Sequence, residues 1–300
     1  MDDVKTLRNK ISHLEIENID LVIEELAKYL FLSIKNNREI NNSFVYELVN
    51  KIIELRNLDC YVNNIISYDY KINKETGFGA YYPKISWIEV YLYNIREMVK
   101  EEYKNLNKEE KNIFLYMRLF IICFHEIEHA NQIKLCIENI DSVETLILRN
   151  SMNYIRSYFG KKDNLVKKGY KNREIDRIIN KQSDLEYDDK DIYLINPSER
   201  FAWVKSFFVS IFIFSSLYKK YPLVKQELFY LFYDMLLEGY QYSKSPTIDF
   251  IQKFHKINDI DLIKKRTMDF CIEEKSIFGM ELKNCEKNEL DKRLKKYLKM

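Results

Sequence analysis

Apolar residues recur at helical spacing over most of the chain. In "LVIEELAKYLFLSI" and "FVYELVNKIIEL", within residues 2–35 and 43–57, they fall every three or four positions and line one face of a helix. These stretches predict two or three helices that pack on something larger. Between residues 60 and 93 the pattern changes. "YVNNIISYDYKI" and "AYYPKISWIEVYLY" are rich in Tyr, Ile and Val and lean toward alternation, with "NKETGFG" between them. That combination predicts a β-hairpin. Helical periodicity resumes near Ile95 and dominates to the end.

One long helix should run from about Lys108 to about Ile137. Asn107 is placed to cap it, with Glu110 three residues on completing a capping box. "NPSERFAWVKSFFVSIFIFSSLY" predicts a buried helix with Asn196 as cap and Pro197 at the first helical position, where a missing N–H costs nothing. Between 138 and 192, "DSVETLILRNSMNYIRSYF" and "NREIDRIINKQ" read as helical and "SDLEYDDKD" as an acidic loop. Helices are predicted again at 223–240 and 247–257, and the tail from 272 is charged and amphipathic. The fold class is therefore mainly α, within α+β: a helical domain with a small antiparallel sheet or hairpin. Residues 1–58 read as an N-terminal helical region packed on the core. Residues 59–300 read as the main domain, with a helical insertion at about 138–192, the whole forming one structural unit.

Composition narrows this picture. Six Gly and four Pro in 300 residues leave few tight turns, which argues against an all-β fold. Lys+Arg number 48 and Asp+Glu 46, for a net charge of +2, so the basic excess that nucleic-acid binding requires is missing. The cysteines (Cys60, Cys123, Cys136, Cys271 and Cys285) are odd in number, scattered and without a CxxC pair. Reduced thiols in a cytoplasmic protein are the simplest reading. The opening "MDDVKTLRNKISHLEIENID" is acidic and polar rather than a signal peptide, and the most apolar run, 207–218, is too short to span a bilayer. The abundance of Ile, Lys, Asn and Tyr points to an AT-rich genome, bacterial or of a bacterial mobile element.

Candidate chemistry concentrates in "CFHEIEHANQIK", residues 123–134, where two of the four histidines of the chain stand four positions apart. On a helix, positions i and i+4 lie one above the other, so His125 and His129 can aim two imidazoles at one point. That is the two-histidine half of a tetrahedral zinc site. Glu126 lies about 100° further around the helix, beside a metal rather than under it. A carboxylate there can take a proton from a metal-activated water, the HExxH pattern of zinc metallopeptidases. Chance would produce the pattern in about one of 250 such sequences, and its apolar surroundings demand a reason for three polar side chains. Two core histidines satisfied by hydrogen bonds are the bland alternative. Gln132, three residues after His129, is either a partner for a metal-bound imidazole or part of a solvated polar turn.

These residues resemble the zincin metallopeptidases. Gln132 and Leu135 stand where the metzincin subgroup has glycine and histidine, so a gluzincin-like arrangement remains, with a glutamate from a later helix as third ligand. The resemblance favours Glu199, in "NPSERFAWVKSF", with Glu144, Glu138 and His255 as rivals. Glu199 has a second reading as the capping-box glutamate of Asn196. The segment is also similar to the small regulatory metallopeptidases of Gram-positive bacteria and their mobile elements. These carry an E-x-x-A helix after HExxH and a strand-forming segment before it, here "YYPKISWIEVYLYN". The likeness covers roughly residues 77–215. It implies a zincin-like fold and a cytoplasmic zinc-dependent endopeptidase, with Zn²⁺ on His125, His129 and Glu199, Glu126 as general base, and a tyrosine (Tyr187, Tyr193, Tyr240 or Tyr242) or His255 as oxyanion donor. It further implies a peptide or protein substrate aligned on the strand edge near Ile85–Leu92. A helical interaction protein with a structural metal site, or none, is the rival expectation, and a zinc hydrolase acting on a non-peptide amide a third.

Overall fold

A computed structural model of the 300-residue chain describes residues 18–72, 77–138, 164–170, 197–219, 228 and 231. Most of these are helical. Helix α1 spans Ile19–Lys35 and α2 spans Asn42–Leu55. Val22, Ile23, Leu26, Ala27, Leu30 and Ile34 form the buried stripe of α1, and Phe44, Val45, Leu48, Val49, Ile52 and Ile53 that of α2. Both have the three-and-four spacing of a helix that buries one face. Asn41 caps α2 by accepting the Phe44 N–H at 3.0 Å. The helix ends where Asn57 takes a positive φ of 52° and the Leu58 N–H closes back on the Ile53 carbonyl at 3.1 Å. That turn leaves Arg56 buried, with consequences described below.

Strands β1 (Asn64–Ser67), β2 (Gly79–Tyr82) and β3 (Trp87–Val90) form one sheet in the order β1-β3-β2. The expectation of a small antiparallel sheet needs correction, because the sheet is mixed. β2 pairs antiparallel with β3, but β1 pairs parallel with it, from Asn64 opposite Trp87 to Ser67 opposite Val90. The hairpin turn is 83–86, inside "AYYPKISWIEV", rather than at "NKETGFG". Pro83 is the physical reason: it lacks the N–H that a central strand needs and fits a turn instead. On one face of the sheet Ile88 and Val90 are fully buried. On the other, the carboxylate of Glu89 accepts from the hydroxyls of Tyr68 (3.2 Å), Tyr82 (3.0 Å) and Tyr91 (2.6 Å). Burial and, after it, the neighbouring carboxylate push the Tyr91 phenol well above its ordinary value, so it stays a donor.

Helix α3 (Leu92–Glu102) leads to α4 (Lys108–Glu138), the longest element. The expected capping box is present: Glu110 N–H donates to Asn107 Oδ1 (2.9 Å) and Asn107 N–H to Glu110 Oε2 (3.1 Å). From Leu119 to Glu128 every residue of α4 is buried. A helix buried all round belongs at the centre of a core. Each buried Phe, Leu or Ile there stabilises by about 1.5–3 kcal/mol, so packing rather than helix propensity holds α4. Helix α5 spans Pro197–Lys219. Its predicted start at Pro197 agrees, while Asn196 lies outside the described residues, as do the helices expected at 223–240 and 247–257, apart from isolated helical positions 228 and 231.

The chain divides into two compact units: Met1–Lys134 with Ala202–Gln241 and Ile272–Met300, and Leu135–Phe201 with Tyr242–Cys271. The borders fall inside α4 and α5, each of which runs through as one helix. In the second unit a helical turn at 164–167 ends at Gly169, with φ of 83°. No helix among the described residues is long and apolar enough to cross a membrane.

Candidate metal centre

The HExxH residues occupy the buried middle of α4. His125 and Glu126 are almost wholly enclosed and His129 is half-buried. The i, i+4 spacing does what helix geometry predicts: His125 Nε2 and His129 Nε2 lie 3.1 Å apart. Two imidazoles on a tetrahedral zinc, at about 2.0–2.1 Å each, have their nitrogens about 3.3 Å apart. The two side chains are therefore close to a chelating pose. Gln132 is also buried, with its Oε1 3.2 Å from His129 Nδ1. A proton on Nδ1 would be donated to that oxygen and would leave the Nε2 lone pair for a metal.

Glu199, on the first turn of α5, completes the cluster. One ligand atom from each of His125, His129 and Glu199 lies within 4.8 Å of the others, and the group can hold a metal ion. Among the rivals, Glu138 is exposed at the end of α4, and Glu144 and His255 lie outside the described residues, as do Tyr187, Tyr193, Tyr240 and Tyr242. One turn beyond Glu199, Trp203 lays its indole against the His125 ring, with centroids 4.0 Å apart and planes at 32°. Glu199 and Trp203 share a helix face at i, i+4 spacing, and that face meets the two histidines.

Glu126 points toward the sheet. Its side chain lies against Gly79 of β2, so close that a Cβ on Gly79 would stand 2.8 Å from Oε1. β2 is a terminal strand of the three, whereas β3 is paired on both sides. The expectation that the segment near Ile85–Leu92 offers a free edge is thus corrected. Both hydrogen-bonding sides of β3 are used, and among the described residues β2 is an edge strand beside Glu126.

Glu128, inside the motif, belongs to an ionic network instead of the cluster. Arg56 pairs with it at 2.6 Å, Lys205 of α5 at 3.4 Å, and Asn131 donates to it at 3.1 Å. Arg56 and Glu128 are within a few per cent of complete burial. Burial opposes the charge on Glu128, but Arg56 and then Lys205 outweigh it, and the carboxyl is held below the ordinary glutamate value. Cys123, one turn before Ile127, is raised well above the ordinary thiol value by burial and secondarily by Glu126, so it remains a thiol. Sequence reasoning did not single out Trp203, Gly79 or the Arg56–Glu128–Lys205 network. The i, i+4 spacing of Glu199 and Trp203 and the glycine inside a strand pattern were available signals. Arg56, at the end of an ordinary amphipathic helix, carried none.

No protein-family model, curated protein or solved structure matches this chain.

Proposed function

We propose that the chain is a zinc-dependent endopeptidase. The observation that carries this reading is the convergence of His125, His129 and Glu199 on one point, with Glu126 next in sequence to the first ligand. Among the described residues three protein donors converge. A catalytic zinc site uses three protein donors and keeps one position for water. Two nitrogens and one carboxylate oxygen also suit zinc better than a hard cation, which takes oxygen ligands alone. Bound there, Zn²⁺ would supply a Lewis acid that lowers the pKa of a water to about 7 and polarises a carbonyl.

The chain's own residues do the rest. Glu126 accepts the proton of the attacking water and delivers it to the leaving amide nitrogen. Gln132 holds the His129 ring in its ligating tautomer, and Trp203 covers one face of His125. β2 supports an extended substrate. Tyr91 N–H donates to the Phe78 carbonyl at 2.9 Å, so Phe78 and Tyr91 are a hydrogen-bonded pair and Gly79 and Val90 are not. The N–H and C=O of Gly79 therefore face the outer edge of β2, where a peptide strand can add. Such a substrate, the zincin-like fold and a cytoplasmic location form one consistent reading.

Metal analysis of the purified chain tests it. About one zinc per chain is expected. His125→Ala or His129→Ala should abolish binding. Glu199→Gln should weaken it by more than the roughly 10–100-fold typical of an outer-shell change, because a neutral amide replaces a charged ligand. As a mere cap, Glu199 would tolerate Gln with zinc unchanged. Full zinc in the His125→Ala/His129→Ala double variant would end the metal assignment.

A further inference from the structure

We propose that Gly79 is a positioning residue for Glu126: its missing side chain is what lets β2 seat the carboxylate. This rests on the peptidase reading and deepens it. Gly79 opens β2, and a glycine paired in a sheet gives it no side chain to pack, so its presence invites a cause. Conformation is not the cause, because Gly79 is an ordinary strand residue and is not among the glycines of positive φ. A bulge is not the cause either, because residues 79–82 pair one to one with 90–87. What remains is close approach. A Cβ built on Gly79 would stand 2.8 Å from Glu126 Oε1, 2.9 Å from Cγ and 3.1 Å from Cδ. Ordinary carbon contacts begin at about 3.5 Å.

The three nearest atoms all belong to the Glu126 side chain. The side chain is buried, with the motif helix behind it and Gly79 in front. A methyl group at 79 therefore forces the carboxylate or β2 to give way, and a shift of that size matters to a base that must reach one water. The glycine thus leaves room for the carboxylate, and none of the three nearest atoms belongs to His125, His129 or Glu199.

The test uses the full chain and two readouts. In hydrolysis, Gly79→Ala should keep its zinc while kcat falls by about 10²-fold, the cost of a misplacement near 1 Å. In thermal unfolding, run as purified and again after chelation, Gly79→Ala should lower Tm in the wild-type background. It should not do so in the Glu126→Ala background, where all three crowded atoms are gone. Non-additivity of that cycle establishes the contact without reference to activity. Full kcat in Gly79→Ala, or equal Tm losses in both backgrounds, overturns the proposal. A wild-type chain that hydrolyses no peptide overturns the peptidase reading and the catalytic half of the proposal together, and the cycle then decides the contact alone.

Discussion

Glu126→Gln should leave the zinc content of the protein unchanged and lower peptide hydrolysis by about 10²–10⁴-fold, the range for removing a positioned general base. The substitution is nearly isosteric, which matters at a site this enclosed. The amide side chain would fill the space between α4 and Gly79 without opening a cavity. What disappears is proton affinity, since an amide oxygen does not take a proton from water near neutral pH. The assignment separates chemistry from binding, because Glu126 is not a member of the three-residue metal group. Zinc measured by mass spectrometry beside kcat on a peptide mixture decides it. Zinc lost from a folded variant would make Glu126 a ligand, and undiminished hydrolysis would place the base elsewhere.

The second large effect concerns stability. Glu128→Ala should destabilise the fold by about 3–5 kcal/mol, because it removes the carboxylate that pairs the buried Arg56. Arg56 and Lys205 converge on this one carboxylate at 2.6 and 3.4 Å. Removing it takes this carboxylate from both cations, and Asn131 loses its acceptor. The cost belongs to the broken network rather than to the ion pair as such. Replacing all three partners with apolar residues of similar volume should recover most of it, as buried ion clusters often allow. Denaturant midpoints for Glu128→Ala and for the triple Arg56→Met/Glu128→Leu/Lys205→Met variant measure both. A single variant as stable as the wild type would show that the network contributes little.

Much of the helical framework was legible in the pattern of residues. Lys108–Glu138 was readable because Asn107 and Glu110 form a capping box and because an unbroken apolar run can only be central. His125, Glu126 and His129 were readable because i, i+4 spacing converts directly into a shared direction. The sheet was less so. Period-two alternation identifies strands but says nothing of which strands neighbour each other, and β1 pairs in parallel with β3 rather than with the strand next in sequence. "TGFG" looked like a turn because glycine serves both turns and close approaches, and only the packing of Glu126 on Gly79 separates the two. Glu199 illustrates a different limit. Its part in the cluster depends on how a distant helix docks, which spacing cannot encode. The pairing of Arg56 with Glu128 was hidden for the same reason, being a contact between residues 56 and 128 with no local signature.

The stacking of Trp203 on His125 gives the molecule an optical reporter. The chain has two indoles. Trp87 is exposed on β3, while Trp203 lies against the His125 imidazole. A soluble quencher reaches the exposed Trp87 more readily than the half-buried Trp203. The Trp203 component reads the electronic state of His125: a neutral ring, a protonated ring and a ring bound to a cation quench an adjacent indole to different degrees. Occupancy of the centre can therefore be followed in real time on the unlabelled protein, with Trp203→Phe as the silent control.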